Sequence, residues 1–130
     1  MQYRPEAADL CEAIADFLLK EVLPAAQSDE LSYKALVSWN MLGVVARELR
    51  DEEDLLRNEA GRLHQLLDEP GLEDLQTLQD VKQRIASLND KLAEKIRSEG
   101  VADPKGQIWA HVKQTLAENL SISNPRFQTE

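Results

Sequence analysis

The sequence is poor in the residues that build sheets and disulfides. Aromatic side chains make up 5% of its 130 residues and it has five glycines, while leucine, alanine, glutamate and lysine are common. Strands are enriched in aromatic and β-branched residues and helices in the common residues named here, so the composition predicts an all-α protein. The single cysteine, Cys11, excludes an internal disulfide.

Targeting and membrane-spanning patterns are also missing. There is no charged start followed by an apolar run and a small-residue cleavage site. No apolar stretch approaches the roughly 20 residues that cross a bilayer. Together with the lone cysteine, these features predict a cytoplasmic protein without a membrane partner.

Basic residues are scarce. The chain has 15 Lys and Arg against 24 Asp and Glu, which gives a formal charge of −9. The averaged field of such a chain repels phosphate backbones and anionic lipid surfaces. We therefore expect no nucleic-acid partner.

Patterns that carry catalysis or metal binding are not found. The histidines, His64 and His111, stand in neither HxxxH nor HExxH spacing, and there is no Glu-x-x-His repeat. No serine or cysteine lies in a recognisable nucleophile motif, and no glycine-rich phosphate loop occurs. The sequence predicts no metal, cofactor or catalytic residue, and an enzyme is the less favoured class.

The strongest positive feature is a charge-free stretch over residues 35–46 in a chain that is 30% charged. A helix of this composition is apolar on nearly every side and must be covered by other helices or by a partner, because a surface helix keeps one polar face in water. We predict that a helix over residues 30–50 lies at the centre of the fold.

Apolar spacing and helix-breaking residues predict the other elements. Pro24 is expected to stop the first helix, and the acidic run at residues 51–54 is expected to begin the third. The predicted helices are residues 5–23, 30–50, 51–69, 72–99 and 104–120, with the fourth either continuous or broken at residues 87–90. They form a single domain over residues 1–130, a four- or five-helix bundle, with residues 121–130 as an extended strap.

Asn40, Gly43 and Arg47 lie three and four residues apart on one side of the apolar helix, where polar groups need partners. In the structural interpretation Asn40 and Arg47 hold the C-terminal strap, and Gly43 permits a close approach. In the functional alternative Arg47 and Arg126 form an anion-binding pocket with Asn40, because guanidinium groups bind carboxylate and phosphate through two hydrogen bonds.

Trp39 and Trp109 are the large aromatic anchors. At helical spacing they are expected in the core. If either is exposed near Met41, it marks a partner surface.

Several segments together resemble an uncharacterised bacterial helical family, DUF6285. The resemblance lies in residues 4–49 and 92–127 and leaves out residues 51–90; it is carried by Arg4-Pro5, Leu23-Pro24, Val44-Val45-Ala46-Arg47-Glu48-Leu49, Ile96-Arg97 and Asn124-Pro125-Arg126-Phe127. Proteins of this family tend to be encoded beside, or fused to, aminoglycoside-phosphotransferase-like kinases, often near acyl-CoA dehydrogenase-like genes. The resemblance implies an accessory role beside such an enzyme and assigns no catalytic residue.

We therefore expect a non-enzymatic accessory or interaction module whose protein partner is a kinase-like phosphotransferase. The alternative is a protein or enzyme that binds a small anionic ligand in a pocket near Asn40 and Arg47. A homodimer that covers the extra apolar helix surface is compatible with either.

Overall fold

The computed structural model describes residues 3–70, 75–100, 103 and 105–127, and none of these lies in a β-strand. The helices are α1 Ala7–Phe17, a π-helical turn Leu18–Val22, α2 Leu23–Ala25, α3 Asp29–Leu67, α4 Leu78–Glu99 and α5 Gln107–Ser123. The protein is all-α, as predicted.

The first helical segment continues through Pro24, so the predicted stop at Leu23 is wrong. In an α-helix the proline ring would clash with the carbonyl four residues back. Here a π-helical turn precedes it, and the Leu23 N–H bonds to the carbonyl of Leu18, five residues back. This wider turn accommodates the ring.

Helix α3 is a single helix of 39 residues. Its first turn is capped by Ser28, whose hydroxyl accepts the Leu31 N–H at 3.1 Å. The predicted helix start at residues 51–54 is wrong, because these acidic residues lie inside α3. Acidic side chains do not end a helix, and here Glu53 pairs with Arg57 one turn later at 2.7 Å.

Helix α4 is also unbroken, so the break considered at residues 87–90 does not occur. Thr77 caps it: its hydroxyl accepts the Asp80 N–H while the Asp80 carboxylate accepts the Thr77 N–H, at 3.1 and 3.0 Å. The helix ends at Gly100, whose φ of 61° suits glycine. Residues 72–74 of the predicted helix lie outside the described residues.

Helix α5 extends through Ser123, so residues 121–123 are its last turn and not part of an extended strap. Residues 124–127 follow without regular structure. Pro104, predicted to open this helix, and residues 128–130 of the strap lie outside the described residues.

Contacts divide the chain into two compact units. Unit 1 comprises residues 1–52 and 122–124, and unit 2 comprises residues 53–121 and 125–130. Organisation as one domain over residues 1–130 stays a prediction.

Unit 2 has a core of large apolar side chains. Leu63, Val81 and Leu88 are fully buried there, and α3 and α4 supply the rest of the cluster. Burying a side chain of this kind stabilises the fold by about 1.5–3 kcal/mol. These side chains pack the C-terminal part of α3 against α4.

Unit 1 is packed differently. Among the described residues of this unit, the buried apolar ones are alanines: Ala8, Ala15, Ala35 and Ala46. Arg50 of α3 adds ion pairs with Asp9, at 2.8 Å, and with Glu12 of α1. The Arg50 hydrogen bond lowers the pKa of Glu12 below its ordinary value. The large apolar side chains of unit 1 are therefore only partly buried or are exposed.

Candidate functional site

Arg47 binds a backbone carbonyl at a helix end. Its Nε donates a hydrogen bond to the carbonyl of Ile122, in the last turn of α5, at 2.6 Å. Carbonyls in that turn have no partner within the helix, and a cation there complements the helix dipole. A Cβ at Gly43 would lie 3.2 Å from the Arg47 guanidinium. Glycine at this position therefore leaves room for the Arg47 side chain.

The other two predicted binding residues lie in exposed positions. Asn40 is two turns before Arg47 on α3, and its side chain is exposed. Arg126 is exposed after the end of α5 and belongs to unit 2, whereas Asn40 and Arg47 belong to unit 1. The anion site built from these three residues stays a prediction.

A network of polar side chains joins α3 and α5 within unit 2. At its centre Arg62 forms a bidentate pair with Glu118: Nη1 donates at 2.9 Å and Nη2 at 2.6 Å. Arg62 also donates to Thr115 at 3.2 Å, and Gln114 donates to Glu118 at 3.0 Å. We call Arg62, His111, Gln114, Thr115 and Glu118 the polar network.

His111 is the buried titratable group of this network, with 5% of its surface exposed. Its Nδ1 accepts a hydrogen bond from Arg62 Nε at 3.4 Å. Because arginine only donates, Nδ1 carries no proton and the neutral ring carries its proton on Nε2. Burial and the nearby Arg62 charge lower the pKa of His111, against a smaller opposing effect of Glu118. The ring is therefore neutral at neutral pH.

Sequence reasoning missed this network. One signal was available, because residues 111, 115 and 118 are spaced as neighbours on one face of a helix. That face is polar, however, and the apolar pattern of α5 predicted that the opposite face would be buried. Arg62, 56 residues from Glu118 along the chain, had no local signal that would pair it with α5.

A cavity of about 260 Å³ adjoins the polar network within unit 2. Part of α3 and the first half of α5 form its walls, with Arg62, Gln65, Leu66, Gln107, Ala110, His111 and Gln114 as lining residues. The lining combines two apolar side chains with three carboxamides, a paired guanidinium and a neutral imidazole. Such a mixture suits a small polar molecule.

The second histidine, His64, is also buried, in the last turn of α3. Its Nδ1 lies 3.4 Å from the Glu69 carbonyl, whereas Nε2 has no partner among the described residues. The Glu69 side chain accepts from Lys91 at 2.5 Å, which lowers the pKa of that carboxyl. Neither histidine belongs to a group of three or more candidate metal ligands in the described part of the chain.

Large apolar side chains of α3 are exposed in unit 1. Five of them recur every four residues, in a row that winds gradually around the helix, and form what we call the α3 stripe: Tyr33, Val37, Met41, Val45 and Leu49. Met41 is 61% exposed. The charge-free segment is therefore buried at Ala35 and Ala46 and exposed at Val37, Met41 and Val45.

Helix α5 has a similar exposed apolar set in unit 2: Trp109, Val112 and Leu116, which we call the α5 stripe. Trp109 was expected in the core but is 51% exposed. It is exposed because α5 turns the face of His111 and Glu118 inward, toward Arg62. Trp39 is partly buried.

The family assignment follows from a comparison of the whole chain with protein-family models. The model described as "Domain of unknown function (DUF6285)" matches residues 24–127. The chain belongs to this family. The DUF6285 match includes residues 51–90, which the sequence motifs left out, and contains Arg47, the α3 stripe and the polar network, whereas α1 lies outside it.

No curated protein and no solved structure matches this DUF6285 chain. Among its described residues, no helix is long and apolar enough to cross a membrane.

Proposed function

We propose that this DUF6285 protein is a non-enzymatic accessory module that binds a protein partner through the exposed apolar face of unit 1. The observation that carries the proposal is the α3 stripe, whose central members Val37, Met41 and Val45 are exposed large apolar side chains within the charge-free segment. Exposed apolar surface of this kind is typical of interaction sites.

The packing of unit 1 supports this function. A second exposed row on α1, formed by Leu10, Ile14 and Phe17, belongs to the same unit. Large apolar side chains that stay in water forgo about 25 cal/mol for each Å² that burial would cover. A partner that covers the α3 stripe recovers this free energy on binding.

The proposed partner is a kinase-like phosphotransferase, on the strength of the gene neighbourhood that the family resemblance implies. Charge favours a different protein over a second copy, because two chains of charge −9 repel each other. A basic rim around the partner's apolar patch would complement this chain.

The test is co-purification of the tagged protein with a phosphotransferase-like enzyme from the same organism. Met41→Glu places a charge in the middle of the α3 stripe, and we expect it to reduce the bound enzyme about tenfold or more. Ala86→Glu is the matched control, because it adds the same charge at an exposed position of α4.

Wild-type and Ala86→Glu proteins should retain the enzyme equally. Equal retention by Met41→Glu would show that the α3 stripe is not the binding surface. Failure of the wild-type protein to retain the enzyme would exclude this partner.

A further inference from the structure

The cavity of unit 2 lies outside the surface used in the proposed function and has its own chemistry. It is formed by residues 62–66 of α3 and residues 107–114 of α5, all within one unit. We propose that this cavity binds a small uncharged ligand with an amide group or an amide-like heterocyclic edge.

The charges at the cavity argue against an ionised ligand. Arg62 uses both Nη groups on the Glu118 carboxylate, and both side chains are largely buried. The pair therefore presents little net charge to the cavity. An ionised ligand would find no unpaired counter-charge there to offset even a partial loss of its hydration.

The neighbouring imidazole is also uncharged. His111 lines the cavity and is buried, and it carries its proton on Nε2, since its Nδ1 accepts from Arg62. The cavity wall thus combines a neutral imidazole with a neutralised ion pair.

Three carboxamides give the cavity its specificity. Gln65, Gln107 and Gln114 each provide N–H donors and a carbonyl acceptor. Gln114 is oriented by the hydrogen bond from its nitrogen to Glu118. An amide edge, with a donor and an acceptor side by side, pairs with a carboxamide through both atoms, which neither a carboxylate nor an ammonium group can do.

The size of the cavity limits the ligand. An apolar cavity of about 150 Å³ is large enough to hold benzene. The cavity here, of about 260 Å³, has room for one ring with a polar substituent. Leu66 and Ala110 supply the apolar contact for the ring.

Three probes of the same shape test the proposal: benzamide, benzoate and benzamidinium, which differ in charge. The measurement is a ¹H–¹⁵N NMR titration of the full chain at about pH 7.5, where His111 is neutral. We expect benzamide to shift the side-chain amide signals of Gln65, Gln107 and Gln114 with a Kd of about 1–10 mM. The Kd of each charged probe should be higher than that of benzamide by about tenfold or more.

Ala110→Leu is expected to fill the cavity and remove the benzamide shifts. The matched control is Ala86→Leu, the same change at an exposed position of α4, which should bind benzamide like the wild-type protein. If Ala110→Leu does not fold, Gln114→Met serves in its place, because it keeps the length of the side chain and removes the carboxamide.

Absence of saturable benzamide shifts in the wild-type protein would overturn the proposal. Equal or tighter binding of benzoate or benzamidinium would also overturn it, since the cavity would then select for charge. Benzamide shifts that persist in Ala110→Leu, or in Gln114→Met where that variant replaces it, would place the ligand elsewhere and overturn the assignment to this cavity.

Discussion

Arg62 and Glu118 are the side chains on which the polar network depends, and both are largely removed from water. Loss of either charge leaves the other poorly solvated. We expect Glu118→Ala to lower the free energy of unfolding by about 1.5–3 kcal/mol, as for a hydrogen bond to a charged group. The double variant Arg62→Met/Glu118→Met should lose less free energy of unfolding than the sum of the losses in Arg62→Met and Glu118→Met, since it leaves no charge unpaired.

Urea denaturation of the two single variants and the double variant measures this coupling. Glu53→Ala is the comparison, because its pair with Arg57 is exposed and its loss should cost less than about 1 kcal/mol. A Glu118→Ala loss as small as that of Glu53→Ala would show that the network does not stabilise the fold.

His111 gives the network a pH dependence. Burial and Arg62 hold its pKa below the ordinary value of 6.5, so the unfolded chain takes up a proton at a higher pH than the folded chain. The free energy of unfolding should therefore fall as the pH decreases through and below about 6.5. Denaturation between about pH 7.5 and 5.5 measures this slope, above the range where carboxyl groups protonate.

In His111→Gln the free energy of unfolding should depend less on pH over this range, because the contribution of the imidazole is removed. An unchanged slope in the variant would assign the pH dependence to another group.

Local sequence signals predicted the helices of this protein better than their ends. The helix over residues 30–50 was predicted, because apolar spacing is a local signal. The stop at Pro24 was wrong because a π-helical turn accommodates the ring, which residue identity does not reveal. The break before Asp51 was wrong because an acidic run is compatible with both a helix start and a helix interior.

The polar network could not be predicted for a different reason. Its key pair, Arg62 and Glu118, depends on how α3 and α5 lie against each other within unit 2, and no pattern in either helix encodes that placement. The involvement of Arg47 was predicted, because a guanidinium on an apolar helix needs an acceptor. The acceptor itself, a carbonyl in the last turn of α5, became evident only in the structure.

The start of α4 depends on Thr77. We expect Thr77→Ala to lower the free energy of unfolding by about 1 kcal/mol, because the Asp80 N–H loses its acceptor. Hydrogen bonds from Thr77 also lower the pKa of Asp80, so the variant should raise that pKa. NMR titration of Asp80 measures this second effect, and Ser87→Ala, at an exposed position within α4, is the control. An unchanged pKa in Thr77→Ala would contradict the capping box.

The continuity of α3 can be tested with proline at two of its positions. Asp54→Pro lies inside the helix and should cost about 3 kcal/mol or more, because it removes a backbone hydrogen bond and clashes with the preceding turn. Asp29→Pro lies at the first helical position and should be tolerated. Circular dichroism and thermal denaturation compare the two variants. Equal stability would indicate that α3 is interrupted near residue 54, as the sequence first suggested.

At the scale of the whole molecule, two properties oppose each other. The α3 stripe and the α5 stripe expose large apolar side chains that favour association, whereas a charge of −9 keeps copies of the chain apart. The balance depends on salt, because the screening length falls from about 10 Å at 0.1 M to about 3 Å at 1 M ionic strength. The protein should therefore be monomeric in dilute buffer and self-associate as salt is added.

Sedimentation velocity in about 0.1 M and about 1 M sodium chloride tests this balance. We expect the sedimentation coefficient of the wild-type protein and of Ala86→Glu to rise with salt, and that of Met41→Glu to stay at the monomer value, because a charge in the α3 stripe opposes its burial. A stable dimer of the wild-type protein in dilute buffer, lost in Met41→Glu, would instead identify the α3 stripe as a homodimer interface. If Met41→Glu self-associates with salt as the wild-type protein does, the α3 stripe is not the self-associating surface. The α5 stripe would then be tested by the same kind of substitution.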